Sequence, residues 1–236
     1  MSESEAKQVH ALFSRIAKRY SQANRWMTWG QDMKWRQEVI RLALLPRHGR
    51  LLDVGTGTGD LALLALKQDN SLLTVGADFN LEMMRLGQDR EGSEFSCWVA
   101  SDALDLPFGD ESFDAVISGY LLRNVVDLER ALNEQHRVLK PGGRVVCLDT
   151  TPPPADCAHL PARLYLKYLI PIIGGVVSGD KKAYTYLAHS SLDFIPPARL
   201  AGCLMKAGFS QVNYRRFMGG AMALHWAIKK SPGSGI

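Results

Sequence analysis

The sequence predicts an α/β chain: a doubly wound, mostly parallel sheet with helices on both faces, N-terminal helices ahead of it and a helical insertion after the fifth strand. Three observations carry this expectation. Short apolar runs alternate with amphipathic segments along most of the 236 residues, the rhythm of strand and helix in a parallel sheet. The stretch LLDVGTGTGD at 51–60 passes from an apolar run through three alternating glycines into a helical repeat. From Pro152 to Pro197 the alternation breaks, and a long segment leaves from the end of a strand.

The elements follow in order. Val9, Leu12, Phe13, Ile16, Ala17 and Tyr20 recur at three- and four-residue steps, the apolar stripe of an amphipathic helix. Trp26, Trp29 and Trp35 come next; they fit packing of the N-terminal helices onto the domain, or the roof of a site or a membrane interface. Leu51, Leu52 and Val54 form a strand buried on both faces. Gly55, Gly57 and Gly59 allow a sharp turn close to a ligand, and Leu61, Leu64 and Ala65 begin the next helix. SLLTVGA at 71–77 reads as a second strand, with Asp78 at its end and Asn80 placed to cap a helix starting near Leu81. EFSCWVA and SFDAVISG give strands three and four, LERALNEQHRVLK a helix, Pro141-Gly142-Gly143 a turn and GRVVCLD the fifth strand. The insertion starts with the rigid TPPPAD loop and is rich in tyrosine, at 165, 168, 184 and 186. It covers a substrate or serves as a buttress. PARLAGCLMKAGF is a helix, SQVNYRRF and AMALHWAIK are strands around Met218-Gly219-Gly220, and SPGSGI reads as a disordered tail.

A hydrophobic fraction of 46% supports a full core. The expected organisation is one domain: a helical cap at 1–46, a ligand-binding core at 47–151, the insertion at 152–197, a helix and hairpin at 198–230 and a tail at 231–236. The net charge of +4 is mild and no Lys/Arg run resembles a nucleic-acid groove, so no nucleic-acid partner is expected. The balance suits an anionic membrane surface. Four scattered cysteines and an N-terminus without an apolar core point to a cytoplasmic protein with reduced thiols. The apolar stretch at 164–177 is cut by Lys167 and Pro171 and is shorter than the ~20 residues of a spanning helix.

The glycine loop departs from the dinucleotide fingerprint G-x-G-x-x-G, because Asp60 stands where the last glycine belongs. A carboxylate there opposes a pyrophosphate and suits an ammonium or sulfonium, which favours S-adenosylmethionine over NAD. Asp78, at the end of the second strand, is placed to accept hydrogen bonds from both ribose hydroxyls. Asp102, past the third strand, is either an adenine contact or a turn residue. The six histidines show no metal-ligand spacing, so no metal is expected.

LLDVGTGTGD with Asp78, SDALDLPFGDESFD and HRVLKPGGR resemble the successive motifs of class I S-adenosylmethionine-dependent methyltransferases. FSRIAKRYSQANRWMTWGQDMKWR (13–36), LLRNVVDLERAL (121–132) and RVLKPGGRVVCLDTT (137–151) are similar to the ubiquinone/menaquinone biosynthesis C-methyltransferase family. The resemblance extends to YTYLAHS in the insertion and to GGAMALHWA near the end. Departures fall at Ser21, Ala23 and Asp32, where the family has Asp, Met and His, and at Asp149-Thr150-Thr151, where it has Glu-x-Ser.

The resemblance implies an S-adenosylmethionine-dependent C-methyltransferase acting on a prenylated quinol, benzoquinol or naphthoquinol. Asp53, Gly55, Gly57, Thr58, Gly59, Asp78, Phe79, Asp102 and Ala103 would hold the cofactor, with Ser118 beside its methionine end. Arg123 and Asn124 match the family's Arg-Asn pair at the substrate. Arg123 then stabilises a phenolate and positions a water as base, or else forms an ion pair with Asp127 at helical spacing. Tyr184 and His189 are secondary catalytic candidates, with a structural role as the alternative for His189. The 164–177 stretch suits a prenyl tail, a peripheral membrane contact or plain helix packing. A homodimer is compatible with this reading. The competing readings are a methyltransferase of another small lipophilic molecule and a non-catalytic or nucleic-acid-binding protein of the same fold.

Overall fold

The computed structural model describes residues 3–231, so all but the first residue of the expected tail at 231–236 lies outside the described residues. Helices α1 (Glu3–Met27) and α2 (Asp32–Ala43) lead into β1 (Arg50–Val54), α3 (Asp60–Gln68), β2 (Leu73–Asp78), α4 (Leu81–Gln88) and β3 (Ser96–Ala100). Then come β4 (Phe113–Gly119), α5 (Leu128–Val138) and β5 (Leu139–Thr150). The insertion carries α6 (Leu160–Leu164), α7 (Ile170–Ser178) and α8 (Lys181–Asp193), and the chain closes with α9 (Pro197–Lys206), β6 (Phe209–Phe217) and β7 (Met222–Lys229).

The seven strands form one sheet in the order β3-β2-β1-β4-β5-β7-β6. Six run in the same direction, and β7 alone enters antiparallel, between β5 and β6. The chain goes from β1 outward to β2 and β3, then returns to lay β4 on the other side of β1. That reversal opens a crevice at the carboxyl ends of β1 and β4, where open α/β sheets bind ligands.

Alternation along each strand builds two core layers. Leu52, Val116, Val145 and Leu200 pack on one face, while Leu51, Ile117, Val146 and Leu148 face Trp35, Val39 and Leu61 on the other. A third cluster joins Leu12, Ile16 and Tyr20 of α1 to Tyr184 and Leu187 of α8. The periodic face of α1 is thus buried largely against the insertion.

Expected boundaries shift most at β5, while α9 stops at Lys206, short of the expected Phe209, and β2 starts at Leu73 rather than Ser71. The Pro141-Gly142-Gly143 turn is absorbed into β5, since Leu139 already pairs with Phe113 and the register slips before Arg144 meets Ala115. Leu139 is fully buried, which ends α5 at Val138 and starts the strand early. The bulge takes up the extra residues, with Gly142 at φ +79°.

Close packing of the insertion is set at Gly174, where an added Cβ would lie 2.1 Å from Cγ of the buried Tyr184 ring. Gly174→Ala is expected to cost about 1–3 kcal/mol in denaturant unfolding. Gly202→Ala in α9 meets nothing within 4 Å and is expected to be neutral or to stabilise by up to about 1 kcal/mol.

Candidate active site

The crevice holds a cavity of about 190 Å3, and a smaller one of about 60 Å3 lies beneath the insertion. The first is bounded by the loop after β1. Gly55 and Gly59 sit at φ +70° and +77°, and both make close approaches as well as turns. A Cβ on Gly55 would lie 2.8 Å from Leu121, and one on Gly59 would lie 2.4 Å from the Trp98 ring. Gly59 therefore packs away from the cavity, while Gly55, Gly57 and Thr58 line it.

Three carboxylates follow the first three strands into this cavity. Asp53 accepts hydrogen bonds from Thr56 Oγ1 at 2.8 Å and the Ala62 amide at 3.2 Å through Oδ2. Its buried Oδ1 has no partner. Burial pushes the carboxyl up to about 7 against the pull of these two hydrogen bonds. Asp78 accepts from the Gly57 amide at 2.7 Å and the Asn80 amide at 2.8 Å, tying the end of β2 to the glycine loop. Burial raises its pKa too. Asn80 caps α4, as expected, by accepting from the Met83 amide. Asp102 is exposed at the rim; one oxygen holds the turn through the Leu104 amide at 2.9 Å, and the residue lines the cavity beside Ala103. Phe79 lines it as well, its ring 5.3 Å from that of His10.

Asp60, expected to suit a cationic ligand, lines the first cavity and is also engaged by the protein's own groups. It accepts from Ser21 Oγ at 2.9 Å and from Arg90 at 2.6 Å, and lies 3.2 Å from Arg36. Burial would raise its pKa, but Arg36 and Arg90 hold it below the usual carboxylate range. With its charge already met, Asp60 ties α1, α2 and the chain after α4 to the glycine loop.

Ser118 departs from expectation. It lies inside the sheet, paired in register with Cys147, and lines neither cavity. Gly119, the last residue of β4, and Tyr120, just past it, reach the first cavity instead.

Arg123 and Asn124 occupy a single 3-10 turn, Leu122–Asn124. The turn splits them. Asn124 lines the first cavity, donating to the Tyr120 carbonyl at 2.9 Å while its buried Oδ1 stays unpaired. Arg123 lines the second. Its partner is not Asp127, which caps α5 through the Arg130 amide, but Asp149 at 2.5 Å, both side chains almost wholly buried. Burial alone would lower the guanidinium's pKa, yet Asp149 holds it above its usual value. Its Nε is buried and unpaired.

Tyr184 and His189 line neither cavity. Tyr184 is fully buried between α1 and α7, and burial raises its phenol. His189 is exposed: it stands two residues past the inward Leu187, about 200° around α8.

Sequence reasoning missed Tyr20, Arg36 and Ser191, and marked Tyr120 only by its position past the fourth strand. Tyr20 and Arg36 line the first cavity, and Ser191 the second. Tyr120 lines both, with Arg36 5.7 Å and Arg123 5.4 Å from its ring centre. Its backbone lies at φ +62°, in the left-handed region, and its buried hydroxyl has no partner. Ser191 was hidden among helix positions; its hydroxyl accepts from Thr150 at 2.7 Å in the wall of the second cavity.

This sheet order, with an antiparallel β7 and acids from three successive strands around one crevice, defines a class I S-adenosylmethionine-dependent methyltransferase fold. Phosphoethanolamine N-methyltransferase 2 of Haemonchus contortus, solved with phosphomonomethylethanolamine and S-adenosylhomocysteine, shares it. It superposes with a TM-score of 0.68 at 15% identity over 94% of this chain and 60% of that one. The chain belongs to the ubiE/COQ5 methyltransferase family, whose family model matches residues 1–229. The ubiquinone/menaquinone biosynthesis C-methyltransferase UbiE of Desulfotalea psychrophila is 42% identical, over 94% of this chain and 90% of that protein. The demethylmenaquinone methyltransferase of Roseiflexus castenholzii is 41% identical over 97% and 96%.

The Arg123–Asp149 pair gives a direct check. Removing one member strands a buried charge, so Asp149→Ala is expected to lower unfolding stability by about 3–5 kcal/mol. Denaturant melts of Asp149→Ala beside an Arg123→Met/Asp149→Leu double variant should show part of that loss recovered.

Proposed function

We propose that the protein transfers a methyl group from S-adenosylmethionine to a ring carbon of a prenylated quinol. The observation that carries this reading is the pair of adjoining cavities divided by Tyr120, each bordered by buried polar atoms without partners: Asp53 Oδ1 and Asn124 Oδ1 on one side, Arg123 Nε on the other. Leaving such atoms unpaired costs about 1–3 kcal/mol each, a cost that a polar ligand removes. The names of the relatives supply the substrate class.

The first cavity fits the cofactor. Asp53 offers its free oxygen to an ammonium group, Asp78 its remaining acceptor capacity to ribose hydroxyls, and Asp102 with Ala103 the rim to adenine. When bound, the cofactor supplies an electrophilic methyl. The protein's task is then to align an electron-rich carbon with it and keep water out. The apolar second cavity, with Met27, Leu166, Ile170 and Leu187 in its wall, excludes water around the ring.

Arg123 favours the phenolate by placing a buried positive charge near its oxygen. A guanidinium does not give up its proton and so is not the base; a water held at Arg123 takes the phenolic proton. The neighbouring ring carbon accepts the methyl and then releases its hydrogen as a proton, restoring the aromatic ring. Asn124 orients the ring from the cofactor side. Asp149 keeps the Arg123 fork pointed at the second cavity.

Incubation with methyl-labelled S-adenosylmethionine and reduced, demethylated benzoquinone and naphthoquinone precursors tests the reaction. Label on a ring carbon is expected, and the precursor that takes it identifies the substrate. Cofactor binding without ring label would overturn the quinol reading in favour of another small lipophilic acceptor.

Asp53 makes cofactor binding depend on pH. With its carboxyl near 7 in the free protein, the proton must leave before Asp53 can meet an ammonium group. Calorimetric Kd values are expected to tighten about tenfold from pH 6 to pH 8, and Asp53→Asn to bind more weakly with a flat profile.

A further inference from the structure

The helical run Cys157–Ser178 is long and apolar enough by length and composition to cross a membrane, counting its continuous 22 residues where the sequence shows a shorter apolar stretch. It does not stand free. Leu166, Pro171 and Gly174 are buried on one side, and α7 packs against α1 and α8. The other side exposes Leu160, Leu164, Tyr168, Ile172 and Val176, with Ile172 54% and Val176 80% exposed. These residues recur every four positions, a spacing that drifts about 40° per step around an α-helix. The wider π turn at Tyr165–Leu169 takes back part of that drift, keeping the stripe on one side.

Two exposed tryptophans extend the patch. Trp29 is 68% exposed and its ring lies 5.4 Å from that of Tyr165, while Trp26 is 61% exposed. Tyr165 also donates a hydrogen bond to the Met27 carbonyl, locking α1 to the helical run. The charges around the patch are mostly positive: of the two acids that bound the run, Asp180 is paired with Arg15 at 2.9 Å and Asp156 accepts from the His159 amide at 3.0 Å. Residues 6–31 and 157–179 contain no Asp or Glu, and Arg25, Lys167, Lys181 and Lys182 are exposed. A symmetric pairing of two copies through this face would bring like charges together. An anionic lipid surface neutralises them, takes the aliphatic stripe and suits aromatic rings at headgroup depth. Met27, Thr28, Tyr165 and Leu166, which join α1 to the run, also wall the second cavity.

We propose that the outer face of the 157–178 run, with Trp26 and Trp29, lies in the headgroup layer of an anionic membrane, and that the second cavity receives its lipid-tailed substrate from that layer. The substrate clause rests on the reading under Proposed function; the surface itself does not.

Co-sedimentation of the full chain with phosphatidylcholine vesicles, with and without 30 mol% phosphatidylglycerol (about a third of the lipid, enough for a strong surface potential), tests the surface. Binding is expected to be at least about tenfold tighter with the anionic lipid. Ile172→Glu/Val176→Glu and, separately, Lys181→Glu/Lys182→Glu are each expected to weaken it about tenfold or more, with circular dichroism and melting unchanged. None of these four residues lines a cavity, so methyl transfer to a short-tailed, water-soluble quinol should persist in the variants, while transfer to a long-tailed quinol in vesicles should fall. Transfer to the soluble quinol without vesicle binding overturns the membrane surface and leaves the reaction standing. Vesicle binding with no transfer to any quinol upholds the surface and removes its substrate clause. Absence of vesicle binding together with a dimer that Ile172→Glu/Val176→Glu dissociates overturns the proposal by assigning the face to a second copy.

Discussion

Two buried arginines, each beside an acid, hold the aromatic ring of Tyr120 between them, and the site takes its shape from that arrangement. Arg36 meets Asp60 on the glycine-loop side, and Arg123 meets Asp149 at the end of β5. The desolvation of Arg123 is offset by Asp149, and that of Arg36 by Asp60 with Asp32 3.7 Å away, so neither can leave its place cheaply. Tyr120 is thereby kept in a left-handed backbone conformation that a non-glycine residue rarely adopts. The strain persists because the Leu148 carbonyl accepts from its amide on one side and Asn124 donates to its carbonyl on the other. A wall fixed this firmly separates the space for a methyl donor from the space for an acceptor, while leaving both in contact with one ring.

That arrangement joins parts of the chain far apart in sequence. Asp60 belongs to the glycine loop, Arg36 to the N-terminal helices and Asp149 to the last parallel strand. Through Asp60, the helix that bears Tyr20 is tied down by Ser21; through Thr150, the residue after Asp149, the insertion is tied down by Ser191. The elements lying outside the sheet are therefore attached at the site itself as well as through their apolar faces.

Much of this was legible in the sequence. Apolar runs fix which residues enter the sheet, and the spacing of Asp60, Asp78 and Asp102 past successive strands places them at one crevice. Local signals also sufficed for Asn80, whose side chain caps the helix beginning one residue later. Partnerships set by tertiary contact were not legible. Asp127 stands four residues after Arg123, while the true partner, Asp149, is 26 positions away on another strand. Tyr184 carried a chemical handle into the insertion, but helical phase turned it into the α1 cluster. Asp60 illustrates the same limit: its place at the cavity was legible, but the two arginines that the fold brings to it were not.

The π turn at Tyr165–Leu169 works as a phase adjuster between two halves of one helix. Removing a single residue there would leave each half helical and rotate one against the other by about 100°. Ile172 and Val176 would swing toward the interior, and Gly174 would no longer make room for Tyr184. The outward apolar edge and the inward packing of the insertion are thus two outcomes of one residue count, and a change in length there alters both at once.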